Sequence, residues 1–249
     1  MSRPASPIVA TVAQAAVELR LTARRGENVL VTLVIPAVVL VFFTSVQVAP
    51  ITSGHPVDFL LPGSLALAVI ATSLVNLGIA TAYERNYGVL KRLGGSPLTR
   101  GQLLVAKIGA VLIVEFLQAI LLVAVAWLLL GWRPASLVNP TLFLAVVAIG
   151  SITFAGLGLL LAGSLRAEMT LALANALFLV SLVLGGIIVP VEQLPDWVAA
   201  VAQVLPAAAL SEGLRIALGA SGDALRPLAT LAIWGLASNL LARRSFRWE

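Results

Sequence analysis

FLQAILLVAVAWLLL, residues 116–130, decides the fold of this chain. The run carries no charge and shows no alternation of polar and apolar residues, the pattern an outer-membrane strand would have. LVIPAVVLVFF, residues 33–43, reads the same way. Both stretches therefore read as helices in hydrocarbon, where a helix satisfies its own backbone groups.

Working outward, uncharged runs cover residues 28–57, 59–83, 116–132, 134–165, 169–191 and 227–242. Apolar residues make up 60% of the chain and the mean hydropathy is +1.04. A soluble domain holds about 45–50% apolar residues, and a crossing needs about 20 mainly apolar residues. The expected fold is all-α and integral to the membrane. Its six transmembrane helices lie near 29–48, 60–82, 103–131, 139–163, 170–190 and 225–242. Residues 1–28 are expected to form an N-terminal amphipathic interfacial segment, and 29–249 the transmembrane domain.

The net charge of +5 is a topology signal and does not point to nucleic acid. With the N-terminus inside, thirteen of the sixteen Lys and Arg residues fall on the cytoplasmic side, leaving Arg133, Arg215 and Arg226 outside. The positive-inside rule favours that orientation, with both termini cytoplasmic and the chain multi-pass in the cell membrane. No cysteine is present, so thiol chemistry and disulfides are excluded. The charged stretch 1–28 does not read as a cleavable signal peptide.

Residues 8–25 place Val9, Val12, Ala13, Ala16, Val17 and Leu21 roughly on one helical face, behind Pro4 and Pro7. A helix lying in the cytoplasmic interface fits, as does a simple basic tail. The first outer loop, about 49–59, holds Pro50, Gly54 and the lone His55, which has no second ligand nearby.

Between the second and third runs stands a charged island, YERNYGVLKRLGGSPLTRGQ, residues 83–102. Glu84 to Leu93 can form a short helix ended by Gly94 and Gly95. Ser96-Pro97 then turns the chain, and Thr99 to Gln102 matches a capping box. Two readings stay open: a helix that docks a soluble partner, and a cationic loop held by lipid phosphates.

Span three carries Lys107, which can snorkel toward the cytoplasmic face, and Glu115, with Gln118 one turn later. Glu115 falls about 18 Å into the helix, near the bilayer midplane, where a carboxyl should face protein or water. It reads either as an interhelical hydrogen bond or as a subunit, proton or substrate contact. Span four is rich in small residues, which suits close packing. After span five, the uncharged run 197–211 is bounded by Pro195 and broken by Pro206. It is too short to cross and suits a re-entrant outer hairpin, with Trp197 at the headgroup level. No P-loop, HExxH or GxSxG motif occurs, so no enzymatic role is expected of the chain itself.

Together, the island and the outer segment resemble the ABC-2 type transporter permeases, the group that includes daunorubicin-type drug exporters. The first shared outline is carried by Glu84, Arg85, Gly88, Leu90, Lys91, Leu93, Pro97 and Arg100. The second is carried by Pro190, Leu194-Pro195, Leu205-Pro206, Glu212, Leu214 and Arg215. The resemblance implies a non-catalytic permease subunit of an ATP-driven exporter, working as a homodimer or heterodimer. ATP and Mg would bind on a separate ABC ATPase, and this chain would hold no cofactor or metal. Residues 83–95 would be the coupling helix, through Glu84, Arg85, Tyr87, Gly88, Leu90, Lys91, Arg92 and Leu93. Spans two and five would face the dimer axis, which nominates Ser73, Asn76, Asn175 and Phe178 for the substrate pathway. The hairpin near 191–212, with Pro190, Pro195, Trp197 and Pro206, would form the outer gate. The apolar spans favour a hydrophobic or amphipathic drug-like or lipid-like cargo. The alternatives are an autonomous secondary transporter or channel using Glu115, and a non-transporting membrane partner.

Overall fold

The computed structural model describes residues 6–24, 26–46, 55–95, 98–134 and 137–245. The expected turn at Ser96-Pro97, and Pro50 and Gly54 of the first outer loop, lie outside the described residues. Every regular element described is helical. The helices are α1 (Pro7–Arg24), α2 (Gly26–Val46), α3 (Pro56–Ile70), α4 (Leu77–Asn86), α5 (Val89–Gly94) and α6 (Arg100–Leu129). They continue with α7 (Pro140–Ser164), α8 (Ala167–Leu184), α9 (Asp196–Ala202), α10 (Pro206–Ala217) and α11 (Leu225–Ser245). A π-helical segment, Ala71–Asn76, joins α3 to α4, so Pro56–Asn86 forms one span.

The helix starts follow local chemistry. Thr99 accepts the Gln102 N–H at 3.3 Å while the Gln102 side chain accepts the Thr99 N–H at 2.8 Å, completing the expected capping box before α6. The Asn139 side chain accepts the Leu142 N–H at 3.0 Å, and Pro140 opens α7, where its missing N–H costs nothing.

Among the described residues, five stretches are long and apolar enough to cross a membrane: Pro56–Asn86, Arg100–Leu129, Pro140–Ser164, Ala167–Leu184 and Leu225–Ser245. The expected first span maps onto α2, whose apolar part Thr32–Val46 is shorter. Helices α9 and α10 form a pair bent by 79°. The second span runs past its expected limits of 60 and 82 at both ends, where its charged residues find partners: Asp58 in Trp132, just beyond α6, and Glu84 in Lys107 of α6.

The α3–α4 span is the centre of the bundle: 72% of its apolar window is buried, against 22% for α8. One apolar cluster surrounds its first half, joining Leu61, Leu65 and Ile70 to Phe154 of α7, Leu210 of α10 and Leu231 of α11. A second cluster closes the arginine-rich end, joining Leu77 to Leu90, Leu103, Leu104 and Leu159. Helix α1 packs along α6. Of its expected apolar face, Val9, Val12 and Val17 are exposed, while Leu21 borders the cavity between α1, α2, α4 and α6 and Glu18 points in.

Helix α7 crosses the central span almost backbone to backbone. A Cβ on Gly158 would lie 2.8 Å from the Leu74 carbonyl oxygen, and one on Gly78 would lie 3.1 Å from the Gly158 Cα. Such a contact admits only glycine, as close helix crossings in lipid require. Gly158→Val is expected to destabilise the chain by about 1–3 kcal/mol through overpacking. Gly109→Ala, on a site open to 4 Å, should leave stability unchanged. Denaturant-induced unfolding of the detergent-purified variants checks both.

Candidate functional site

The charged island splits into inward and outward side chains. Helix α4 continues through Glu84 and Arg85 to Asn86 instead of yielding to a separate helix at 84–93. Tyr87 and Gly88 make a turn, with Gly88 at φ +70°, a left-handed conformation that favours glycine. The short helix α5 follows and ends at Gly94–Gly95, at the expected place but without the left-handed cap expected of a glycine stop, since Gly95 has φ −82°. Leu90 is completely buried in the second apolar cluster, and Leu93 packs against the same cluster. Arg85 donates to the backbone carbonyl of Leu165, at the junction of α7 and α8. Tyr87, which is 71% exposed, faces out together with Lys91 and Arg92.

Glu84 does not face out. Its Oε2 accepts from Lys107 Nζ of α6 at 2.7 Å, and the same ammonium lies 3.0 Å from Glu18 Oε1 of α1. Gln14 donates to that Glu18 oxygen at 2.9 Å. Lys107 was expected to snorkel towards the cytoplasmic face; instead it is 1% exposed and carries three helices on one charge. A buried ammonium is stable only when paired, and two carboxylates meet that condition here.

A second polar network lies at mid-span, against the π-helical segment. Such wide turns often sit at functional places. Thr72 donates to Gln118 Oε1 at 3.1 Å, and Asn76 Nδ2 donates to Thr32 Oγ1 of α2 at 2.8 Å. The Gln118 amide reaches the Thr32 carbonyl at 3.3 Å. Glu115 is buried between Ser73 of the π segment and Ser151 of α7, with both hydroxyls on its carboxyl oxygens. Glu115 is thus tied to hydroxyls of its own chain on two other helices.

A cavity of about 680 Å³ runs between α1, α2, α4 and α6, from Thr72 and Asn76 down to Glu84 and Tyr87. Of the four pathway nominees, Asn76 lines it. Ser73 is turned away onto Glu115, Asn175 lies exposed on α8, and Phe178 is half-buried against the first apolar cluster. The structure does not bring those four together within one chain.

At the opposite end, Pro190 precedes a 3-10 turn, Pro195 precedes α9, and Pro206 occupies the first turn of α10, where it is buried. Trp197 is exposed on α9. Arg215 of α10 stacks over Phe59 at 4.0 Å and donates to the Gly186 carbonyl, which fixes α10 against α3. Trp234 of α11 donates to the Val204 carbonyl at 2.9 Å, holding the bend between α9 and α10.

A family model for the ABC-2 type transporter matches residues 11–218, most of the chain. The chain belongs to the ABC-2 type transporter family. It is a multi-pass membrane protein by its apolar helices and by that membership. Among similar proteins, the probable multidrug ABC transporter permease YbhR of Escherichia coli K12 is 26% identical over 141 residues, covering 56% of this chain and 38% of that protein. The probable multidrug ABC transporter permease YbhS of the same strain is 29% identical over 155 residues, covering 60% and 40%. The matched stretch thus spans about two-fifths of the length of these curated relatives.

Several residues that organise the site of this ABC-2 transporter chain escaped the sequence reading: Glu18, Lys107, Thr72, Thr32 and Ser151. A usable signal existed for the first two, because Glu18 is the lone carboxylate of α1 and Lys107 is the lone lysine of α6, seven residues inside the helix among apolar neighbours. Lys107→Ala leaves two carboxylates facing each other and is expected to cost about 3–5 kcal/mol. Combining Lys107→Met with Glu18→Gln and Glu84→Gln should recover most of that loss. Unfolding midpoints of the single and triple variants provide the check.

Proposed function

We propose that this chain is the membrane-spanning subunit of an ATP-driven exporter. It pairs with a second copy or a sister permease and docks a separate ABC ATPase, which holds ATP and Mg. The arginine-rich end faces the cytoplasm. Helix α2 serves as the first of six spans, and the α9–α10 pair dips back from the outer face as the gate. The cargo is a hydrophobic or amphipathic drug-like or lipid-like molecule, in keeping with what the names of the relatives say of those proteins.

One observation carries the reading. The turn after the second span is anchored inward at three points, Glu84, Arg85 and Leu90, while Tyr87, Lys91 and Arg92 stay exposed. A segment so fixed transmits force, because pushing its outer face moves α4, α6 and the α7–α8 junction. An aromatic ring beside two cations suits a groove on a protein partner, where tyrosine and arginine are enriched. In this reading Glu84 and Arg85 of the family outline are the linkage to the spans, and the contact surface is Tyr87, Lys91 and Arg92.

Reversing the contact charges with Lys91→Glu and Arg92→Glu should abolish co-purification of the ATPase and lower its permease-dependent turnover at least tenfold, with membrane levels of the chain unchanged. Undiminished co-purification would falsify the docking assignment. The absence of native cysteine also gives a direct topology test. In intact cells a membrane-impermeant maleimide should label Trp197→Cys and spare Lys91→Cys, which labels only after the membrane is opened. The reverse pattern would overturn the orientation.

A further inference from the structure

We propose that the cavity between α1, α2, α4 and α6 is a binding site for an organic cation with an apolar body, formed within a single protomer. The inference deepens the exporter reading and rests on it for transport; binding is a property of this chain alone.

The size is right. About 680 Å³ lies within the 300–1,000 Å³ usual for small-molecule sites, which combine apolar walls with a few placed polar groups. The charge is decisive. Among the described lining residues, Glu18 and Glu84 face a single cation, Lys107, so the floor keeps one surplus negative charge. Lys107 engages Oε1 of Glu18 and Oε2 of Glu84, which leaves the other oxygen of each carboxylate as an acceptor. Both carboxylates remain slightly exposed, 14% and 13%, so the cavity can reach them where it cannot reach Lys107.

The aromatic lining agrees. Half-buried Tyr83 lines the cavity beside Glu84, its ring stacked with a centre-to-centre distance of 6.0 Å on that of Tyr87, which borders the cavity but is mostly exposed. Ring faces attract cations, most strongly where water is partly excluded. Towards mid-span the wall turns apolar with Val111 and Val114 before ending at the neutral acceptors of Thr72 and Asn76. An anion meets the surplus charge unfavourably, and a neutral solute leaves it unanswered. A cation carrying an apolar body satisfies the floor and the upper wall at once.

The test uses tetraphenylphosphonium and tetraphenylborate, two ions of nearly the same shape and opposite charge. Binding to the full chain in zwitterionic nanodiscs is measured by equilibrium dialysis, as the excess over empty nanodiscs. Tetraphenylphosphonium should bind saturably, one per chain, and at least tenfold more tightly than tetraphenylborate. Glu18→Gln should weaken it about tenfold, the effect of losing one nearby charge at a partly hydrated site. Val114→Trp, which fills the cavity, should abolish it. Equal excess binding of the two ions, or cation binding unchanged in Glu18→Gln, would overturn the proposal. Absence of saturable cation binding, while the ATPase complex still exports a neutral amphiphile, sinks this site and leaves the exporter reading standing. Cation binding with the expected variant pattern, but no ATP-driven transport of any amphiphile, keeps the site and sinks the exporter reading.

Discussion

A polar side chain at the centre of a bundle in lipid is costly to leave unanswered. Along the α3–α4 span Asp58, Thr72, Ser73, Asn76, Glu84 and Arg85 are answered, while the buried hydroxyls of Ser64 and Thr81 find no hydrogen-bond partner among the described residues. Each described partner sits where that requirement puts it. Asp58 takes the indole N–H of Trp132 at 2.9 Å, Thr72 meets Gln118, Ser73 meets Glu115 and Glu84 meets Lys107. All four partners belong to α6 or the segment just beyond it, and their order is the reverse of that on the central span. The two spans therefore run antiparallel in a fixed register, with a polar tie at each end and two in the middle. Asn76 adds α2 through Thr32, and Arg85 adds the α7–α8 junction through Leu165.

This arrangement explains what the sequence made legible. Span existence followed from uncharged runs, since crossing hydrocarbon requires nothing else locally. The capping box before α6 and the glycine stop after α5 were readable because their partners are three or fewer residues apart. Glu115 was readable as a residue that must face protein. Its partners Ser73 and Ser151 were not, because they are 42 and 36 residues away, and no periodicity encodes such pairing. The π-helical segment was invisible for a related reason: ATSLVN has no unusual local propensity, and its wide turn serves contacts made by distant helices. Lys107 was misread because a lysine near a helix end usually reaches for water. Here two carboxylates from other helices reach it first.

The family outline also acquires a division of labour. Of its charged members, Glu84 and Arg85 are spent on interhelical contacts, and Leu90 is an anchor. Lys91 lies on the opposite surface with Arg92, beside Tyr87. A pattern that reads as one basic patch is two sets of residues with opposite directions. The same separation places the Glu84 carboxylate on the inner side of the turn and the Lys91 and Arg92 cations on its outer side, only seven and eight residues apart in sequence.

The fixed register between the second and third spans has a mechanical corollary. From Asp58 to Glu84 the pair behaves as a stiff rod of roughly 39 Å, at 1.5 Å per residue. Sliding one helix past the other by a single turn would break every tie simultaneously, so the low-cost motion is a tilt of both together. A tilt of about 5° displaces the far end of such a rod by roughly 3 Å, about the width of a hydrogen bond. At that end Phe59 carries the guanidinium of Arg215, and with it α10. On the docking reading proposed above, a push on α5 would reach α10 as a displacement of that size.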